Sequence, residues 1–221
     1  MQFFAALRTA VWITSVCLCA DGQTTPGTTA PLSEVKGIAP RANPAEYQVS
    51  GKAGDVTIAA EFTGHAIGTP QGTLLTEDYI VVETAFFGAA GTRTKLSAED
   101  FSLRINGKKA PLPGQRYGVV LASLKDPEWK PPADTKSKSK TTMGGGGRGE
   151  SNEPPAPVTM PFAVRRAMEQ RAQRATLPEG DLALPVAGLI YIPYRGKTQG
   201  IKSLELIYSG PAGNATLALL P

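Results

Sequence analysis

From Val56 to Thr63 the chain alternates: Val56, Ile58, Ala60 and Phe62 stand between Thr57, Ala59, Glu61 and Thr63. A period of two puts each set on its own face of an extended strand, which a helix does not do. The pattern recurs along the chain. Asp78 to Gly88 is apolar on both faces apart from Glu83 and Thr84, as a strand covered from two sides requires. Phe101, Leu103 and Ile105 oppose Ser102 and Arg104, and Leu204, Leu206 and Tyr208 oppose Glu205. Tyr117–Leu124, Gly188–Tyr194 and Asn214–Leu220 read as further strands. Asn106-Gly107 predicts a two-residue hairpin, because both residues tolerate positive φ. Ser97, with Asp100 three positions on, predicts one capped helical turn. About seven short strands and one helix predict an all-β sandwich, a single domain over residues 45–221 that needs no disulfide to hold its core.

The two ends of this pattern and its interruption have different compositions. Arg8 is the sole charge before Asp21, and the apolar run from Ala10 to Ala20 is shorter than the ~20 residues a membrane-spanning helix needs. Residues 1–20 therefore read as a secretory signal peptide, cleaved after Ala20 or Gly22, and the protein as secreted or periplasmic. Both cysteines, Cys17 and Cys19, fall in that segment, so the mature chain is expected to have no disulfide, thiolate metal site or cysteine nucleophile. Val16 and Leu18 precede them where lipid attachment favours small residues. Residues 21–44, rich in Thr, Pro and Gly, read as a flexible spacer.

Between the strands, residues 126–160 are Lys, Ser, Gly and Pro with almost no branched apolar side chains, and are expected to be a disordered insert. Gly144–Gly147 is followed by Arg148, Gly149 and Glu150, so the Gly-Lys-Ser/Thr that closes a phosphate-binding loop is missing. Lys136, Lys138 and Lys140 alternate with serines but lack interleaved aromatics, and nucleic acid is not an expected partner. Residues 161–176 read as a basic surface helix whose apolar set is Phe162, Met168, Ala172 and Ala175. Its arginines, Arg165, Arg166, Arg171 and Arg174, and Trp129 at the edge of the insert are the candidate partner-binding residues. Trp129 has two readings, an aromatic folded over the sandwich edge or an exposed recognition group.

The side chains limit the chemistry. The 23 basic and 19 acidic residues give a net charge of +4, a mild balance. His65 is the one histidine, so any Ser-His-Asp arrangement would have to use it, and no Gly-x-Ser-x-Gly elbow accompanies it. One histidine cannot build a zinc site. Glu77 and Asp78, Glu99 and Asp100, and Asp126 and Glu128 lack the spacing of a calcium loop. Asn214-Ala215-Thr216 matches the glycosylation triplet. No catalytic residue, metal or cofactor is assigned.

Three stretches resemble a group of bacterial exported proteins of unknown function with an immunoglobulin-like, telokin-like domain. They are YIVVETAFFG, LSAEDFSLRINGKK from Leu96, and GLIYIP from Gly188 followed by SLELIYSGPAG. The resemblance implies an immunoglobulin-like sandwich and brings no catalytic residues. The expected function is a non-enzymatic binding or accessory module of the envelope, with a protein or an envelope polymer as partner, met at a sheet edge or at the flanks of the insert. Two alternatives stand beside it: a hydrolase of envelope polymers using paired carboxylates, and docking on anionic membrane through the basic helix.

Overall fold

The structure, a computed structural model, describes residues 37–130 and 160–220. Eight of the strand segments form two four-stranded antiparallel sheets. The first has the order β1 (Val49–Ala53), β2 (Val56–Gly64), β5 (Tyr79–Phe87), β11 (Val186–Pro193). The second has the order β13 (Gly213–Leu220), β12 (Leu204–Gly210), β7 (Phe101–Ile105), β8 (Leu112–Pro113). Two smaller sheets flank them: β3 (Ala66–Thr69), β4 (Gly72–Thr76) and β9 (Leu124–Lys125), and the ribbon of β6 (Arg93–Leu96) with β10 (Gly180–Ala183). The chain is mostly β, and its sheets are antiparallel.

Alternation explains how the two large sheets meet. Ile58, Ala60, Ile80, Val82, Phe86, Ile190 and Ile192 of the first sheet share one core with Phe101, Leu103, Leu204, Leu206 and Tyr208 of the second. Phe86, Phe101 and Tyr208 form its centre, with ring centroids 5.3 to 5.9 Å apart. Aromatic pairs at such distances add about 0.5–1.5 kcal/mol each beyond their burial. β5 sits between β2 and β11, so its odd-numbered residues need cover as well. Val81 packs, with Leu189 and Tyr191, against a layer of Ile67, Leu74, Val120, Leu124, Met168 and Ala172. That layer holds α1 (Tyr117–Val120), a following 3-10 turn (Leu121–Ser123), α2 (Phe162–Ala175) and the β3–β4 hairpin. Nearer the end of the sheet, Ala59, Ala85 and Ala187 are direct cross-strand neighbours and are buried under Tyr47.

Four expectations need correction. Tyr117–Leu124 is not a strand but α1 and a 3-10 turn leading to β9. Its apolar residues Tyr117, Val120, Leu121 and Leu124 all pack in the helical layer, and their i, i+3, i+4, i+7 spacing is that of a helix. The turn at Asn106-Gly107 forms with φ of 51° and 65°, but the partner strand resumes only at Leu112, so this is a longer loop than a two-residue hairpin. Residues 37–44, assigned to the spacer on composition, belong to the folded body: Ile38 bridges Ala187 and Arg41 reaches two carboxylates. The start of the insert is likewise ordered, with a turn over Asp126–Trp129, while residues 131–159 lie outside the described residues. The spacer before 37 and the signal peptide lie outside them too.

The free side of β11 is capped piecemeal. The carbonyls of Ala187, Leu189 and Tyr191 accept N–H bonds from Ile38 (3.0 Å), Leu177 (2.9 Å) and Gln115 (2.8 Å), three separate segments. Leu177 crosses so closely that a Cβ on Gly188 would lie 2.3 Å from its Cα, so residue 188 must be glycine. At the opposite side of the sandwich β13 runs beside β1, and the Gln48 amide donates to the Leu219 carbonyl. The β11 edge of the first sheet is thereby closed to an added strand, while β1 has β13 beside it with no backbone pairing between them among the described residues.

Candidate functional site

The five candidate partner-binding residues do not converge on one face. At about 3.6 residues per turn, burial of Met168, Ala172 and Ala175 fixes which side of α2 meets the body. Arg165 and Arg171 then flank the buried stripe on opposite sides, and Arg166 and Arg174 point outward. Two of the four are engaged. Arg165 pairs with Glu169 at 3.2 Å one turn along, and Arg171 pairs with Asp126 at 3.2 Å. Arg166 and Arg174 are exposed and form no ion pair among the described residues. Phe162, expected on the apolar face, is instead 76% exposed, because it lies more than a quarter turn round the helix from the stripe of Met168, Ala172 and Ala175.

Trp129 is half-buried and lies near Arg171 through the Asp126 turn. The Asp126 side chain accepts from the Glu128 N–H at 3.0 Å through Oδ1 and from Arg171 through Oδ2, and its backbone carbonyl accepts from the Trp129 N–H at 3.2 Å. The exit of the chain toward residue 131 is thereby tied to the helix by which it returns. Trp129 is not among the side chains packed in the three apolar clusters.

Sequence reasoning gave no partner to Glu61 and Glu83, and the fold brings them together. They are directly paired across β2 and β5 on the outer face of the first sheet. Arg41 lies over both, bonded to Glu61 and 3.4 Å from Glu83, with its guanidinium 4.3 Å from the Tyr47 ring centroid. Burial pushes the Glu83 carboxyl above the ordinary carboxylate range; Arg41 pulls it back in part and the Glu61 charge adds to the rise. This is a carboxylate pair with one perturbed member, but its open side is occupied by the chain's own guanidinium.

His65 stands at the corner where β2 turns into β3. A β-bulge at Thr63 and a φ of +68° at Gly64 turn the strand and aim the ring. Its Nδ1 lies 2.7 Å from the Tyr79 carbonyl and its Nε2 3.0 Å from the Gly196 carbonyl, and the ring stacks on Tyr194. Both nitrogens face backbone carbonyls, which only accept, so a neutral ring donates to one of them and lies against the other, wedged between the two segments. Beside it runs an open groove of about 590 Å³ between the Glu77-Asp78 turn and the Arg195–Gln199 loop, with Leu75 as its apolar wall. Arg195 bonds Asp78 at 2.9 Å across one end. Donors and acceptors for a polar ligand come from Thr198, Gln199 and Asp78. No group of three His, Cys, Asp or Glu residues suited to a metal occurs among the described residues.

Known protein families, curated proteins and solved structures give no match to this chain.

Proposed function

We propose that the chain is an exported, non-enzymatic binding or accessory module of the bacterial envelope, carried on an immunoglobulin-like sandwich. Its partner is a protein or an envelope polymer. The supporting observation is how the groups suited to acid–base chemistry are used. Both His65 nitrogens lie on backbone carbonyls, and the Glu61–Glu83 pair is covered by Arg41. A general base needs a lone pair free to reach the proton it removes. With the β11 edge of the first sheet capped, contact falls to the loops at the sandwich end and to the insert flank. The flank presents Trp129, Phe162 and Arg166.

One observation favours a second reading, an envelope-polymer hydrolase: Glu83 is the kind of raised carboxyl that serves as a general acid. Docking on anionic membrane through four arginines loses support, because α2 spreads them around its circumference.

Co-sedimentation of the full chain with an isolated bacterial envelope fraction separates the two readings. The module reading expects saturable binding with no release of soluble fragments. Fragment release that disappears in Glu83→Gln would replace it with the hydrolase, and a wild type that fails to sediment would end it.

A further inference from the structure

Asn106 does more than turn the chain after β7. Its side-chain oxygen accepts from the Lys202 and Ser203 backbone N–H groups at 2.7 and 3.2 Å, and its amide donates to the Gly200 carbonyl at 3.0 Å. The loop over residues 195–203 is thus held at one foot by Asn106 and at the other by His65 through Gly196. Two loops distant in sequence become one rigid ridge.

The ridge is basic. Lys108 and Lys109 follow the Asn106-Gly107 turn, Lys197 and Lys202 lie on the clamped loop, and all four are exposed. None forms an ion pair among the described residues, nor do Lys52 and Lys95, whereas Lys125 and most of the arginines there do. Arg195 adds a fifth cation, of which Asp78 neutralises one contact. Four exposed lysines without ion pairs leave net positive charge on these two joined loops, which suits an anionic partner. The groove along the same loop offers the hydroxyl of Thr198, the amide of Gln199 and the free oxygen of Asp78, suited to the hydroxyls of a sugar chain.

We propose that this ridge and the adjoining groove bind an anionic polysaccharide, its carboxylate groups on Lys108, Lys109, Lys197 and Lys202 and its hydroxyls on Thr198, Gln199 and Asp78. The assignment rests on the module reading and names its polymer partner. The two lysine-bearing loops carry no exposed large apolar side chain to enter a membrane: among the described residues these are Leu75, on the wall of the groove, and Val119, Phe162 and Val164. It also lacks the exposed aromatics on which nucleic-acid bases stack.

The test measures binding of the full chain to polygalacturonate by calorimetry in low salt, with neutral dextran, phosphatidylglycerol vesicles and a DNA duplex as the other arms. The assignment expects binding to polygalacturonate that weakens steeply with salt. The Lys108→Ala/Lys109→Ala/Lys197→Ala/Lys202→Ala variant, whose lysines are exposed and unpaired, keeps its melting temperature and loses at least tenfold in affinity. Replacing the same four by Arg restores binding, Lys52→Ala/Lys95→Ala leaves it unchanged, and Thr198→Ala/Gln199→Ala weakens it severalfold. Absence of polygalacturonate binding, equal binding by the four-alanine variant, or vesicles or DNA bound as tightly as the polyuronate overturns the assignment. Envelope co-sedimentation is run in parallel: if it persists while polygalacturonate is not bound, only the ligand assignment falls.

Discussion

Replacing Arg41 by Met keeps its aliphatic contact and removes its charge, and the structure sets the cost. Two partly exposed ion pairs go, to Glu61 and Glu83, worth about 0.2–1 kcal/mol each in such settings. The stacking of the guanidinium over Tyr47 goes as well, worth about 0.5–1 kcal/mol. The larger effect is what remains. Glu83, with a side chain 16% exposed, stays beside Glu61 with no counter-ion, at a further cost of about 1–2 kcal/mol. Because these terms overlap, a net loss of about 2–3 kcal/mol at neutral pH is expected. The pH dependence has a definite sign. Glu83 has its folded value raised above the unfolded one, so its contribution to stability is present at low pH and is lost as pH rises through the folded value. Removing Arg41 raises that value further, so Arg41→Met should lose more stability at pH 7 than at pH 5. Adding Glu83→Gln to Arg41→Met should recover about 1–2 kcal/mol at pH 7, and Glu83→Gln alone should be near neutral. Urea unfolding of the four proteins at both pH values provides the measurement. An Arg41→Met loss below about 0.5 kcal/mol, or one equal at the two pH values, would refute the account of Arg41 as the counter-ion of a desolvated carboxylate.

Other substitutions test the packing. Gly188→Ala drives a methyl into the Leu177 backbone and should destabilise by about 2–3 kcal/mol in thermal melts, whereas Gly107→Ala, open in space, costs only its strained φ. The Thr84 hydroxyl is buried without a partner, so Thr84→Val should raise stability by about 1 kcal/mol in urea unfolding. The Tyr191 phenol is pushed up to about 12 by burial, with Thr176 opposing, so its contribution to stability disappears as pH rises from its unfolded value near 10. Tyr191→Phe should therefore unfold at higher pH in an alkaline titration followed by circular dichroism. Asp126→Ala removes the side-chain acceptor of the Glu128 N–H and should speed amide exchange at Glu128 at least tenfold without changing exchange in β5.

The sandwich was readable in the sequence because alternation is a local signal: Phe101, Leu103 and Ile105 declare their common face over five residues. The capping turn at Ser97 and Asp100 was readable for the same reason, since its side-chain bonds span only two and three residues. Short apolar runs were ambiguous. Val119 and Val120 favour a strand by propensity, yet the helical spacing of Tyr117, Val120, Leu121 and Leu124 decided the outcome, because a helix buries all four on the outer face of the first sheet. β1 was missed because its small and polar residues carry little hydrophobic signal, and β4 because Leu74-Leu75 is too short a run to show a period.

The candidate site was less legible, because every contact that builds it is long-range. Glu61 and Glu83 are ordinary surface-strand residues in sequence and become a perturbed pair only through the β2–β5 register. Arg41 stands in a stretch whose composition suggests no fold, and reaches them only because Tyr47 is anchored on the alanine row. Asn106 was visible as a turn former, and turn formation is all that a two-residue signal conveys. Its bonds to residues 200, 202 and 203 depend on β7 pairing with β12, Ile105 opposite Leu204, which sets the two loops side by side. The same pairing places lysines from both loops together. Breaking the pin should therefore loosen the charge arrangement and spare the core: Asn106→Gly keeps the positive φ, removes the three side-chain bonds, and should weaken polygalacturonate binding severalfold while β7 and β12 retain their amide protection. If that variant binds as the wild type does, the ridge is not pre-organised by Asn106, and its lysines act as independent surface charges.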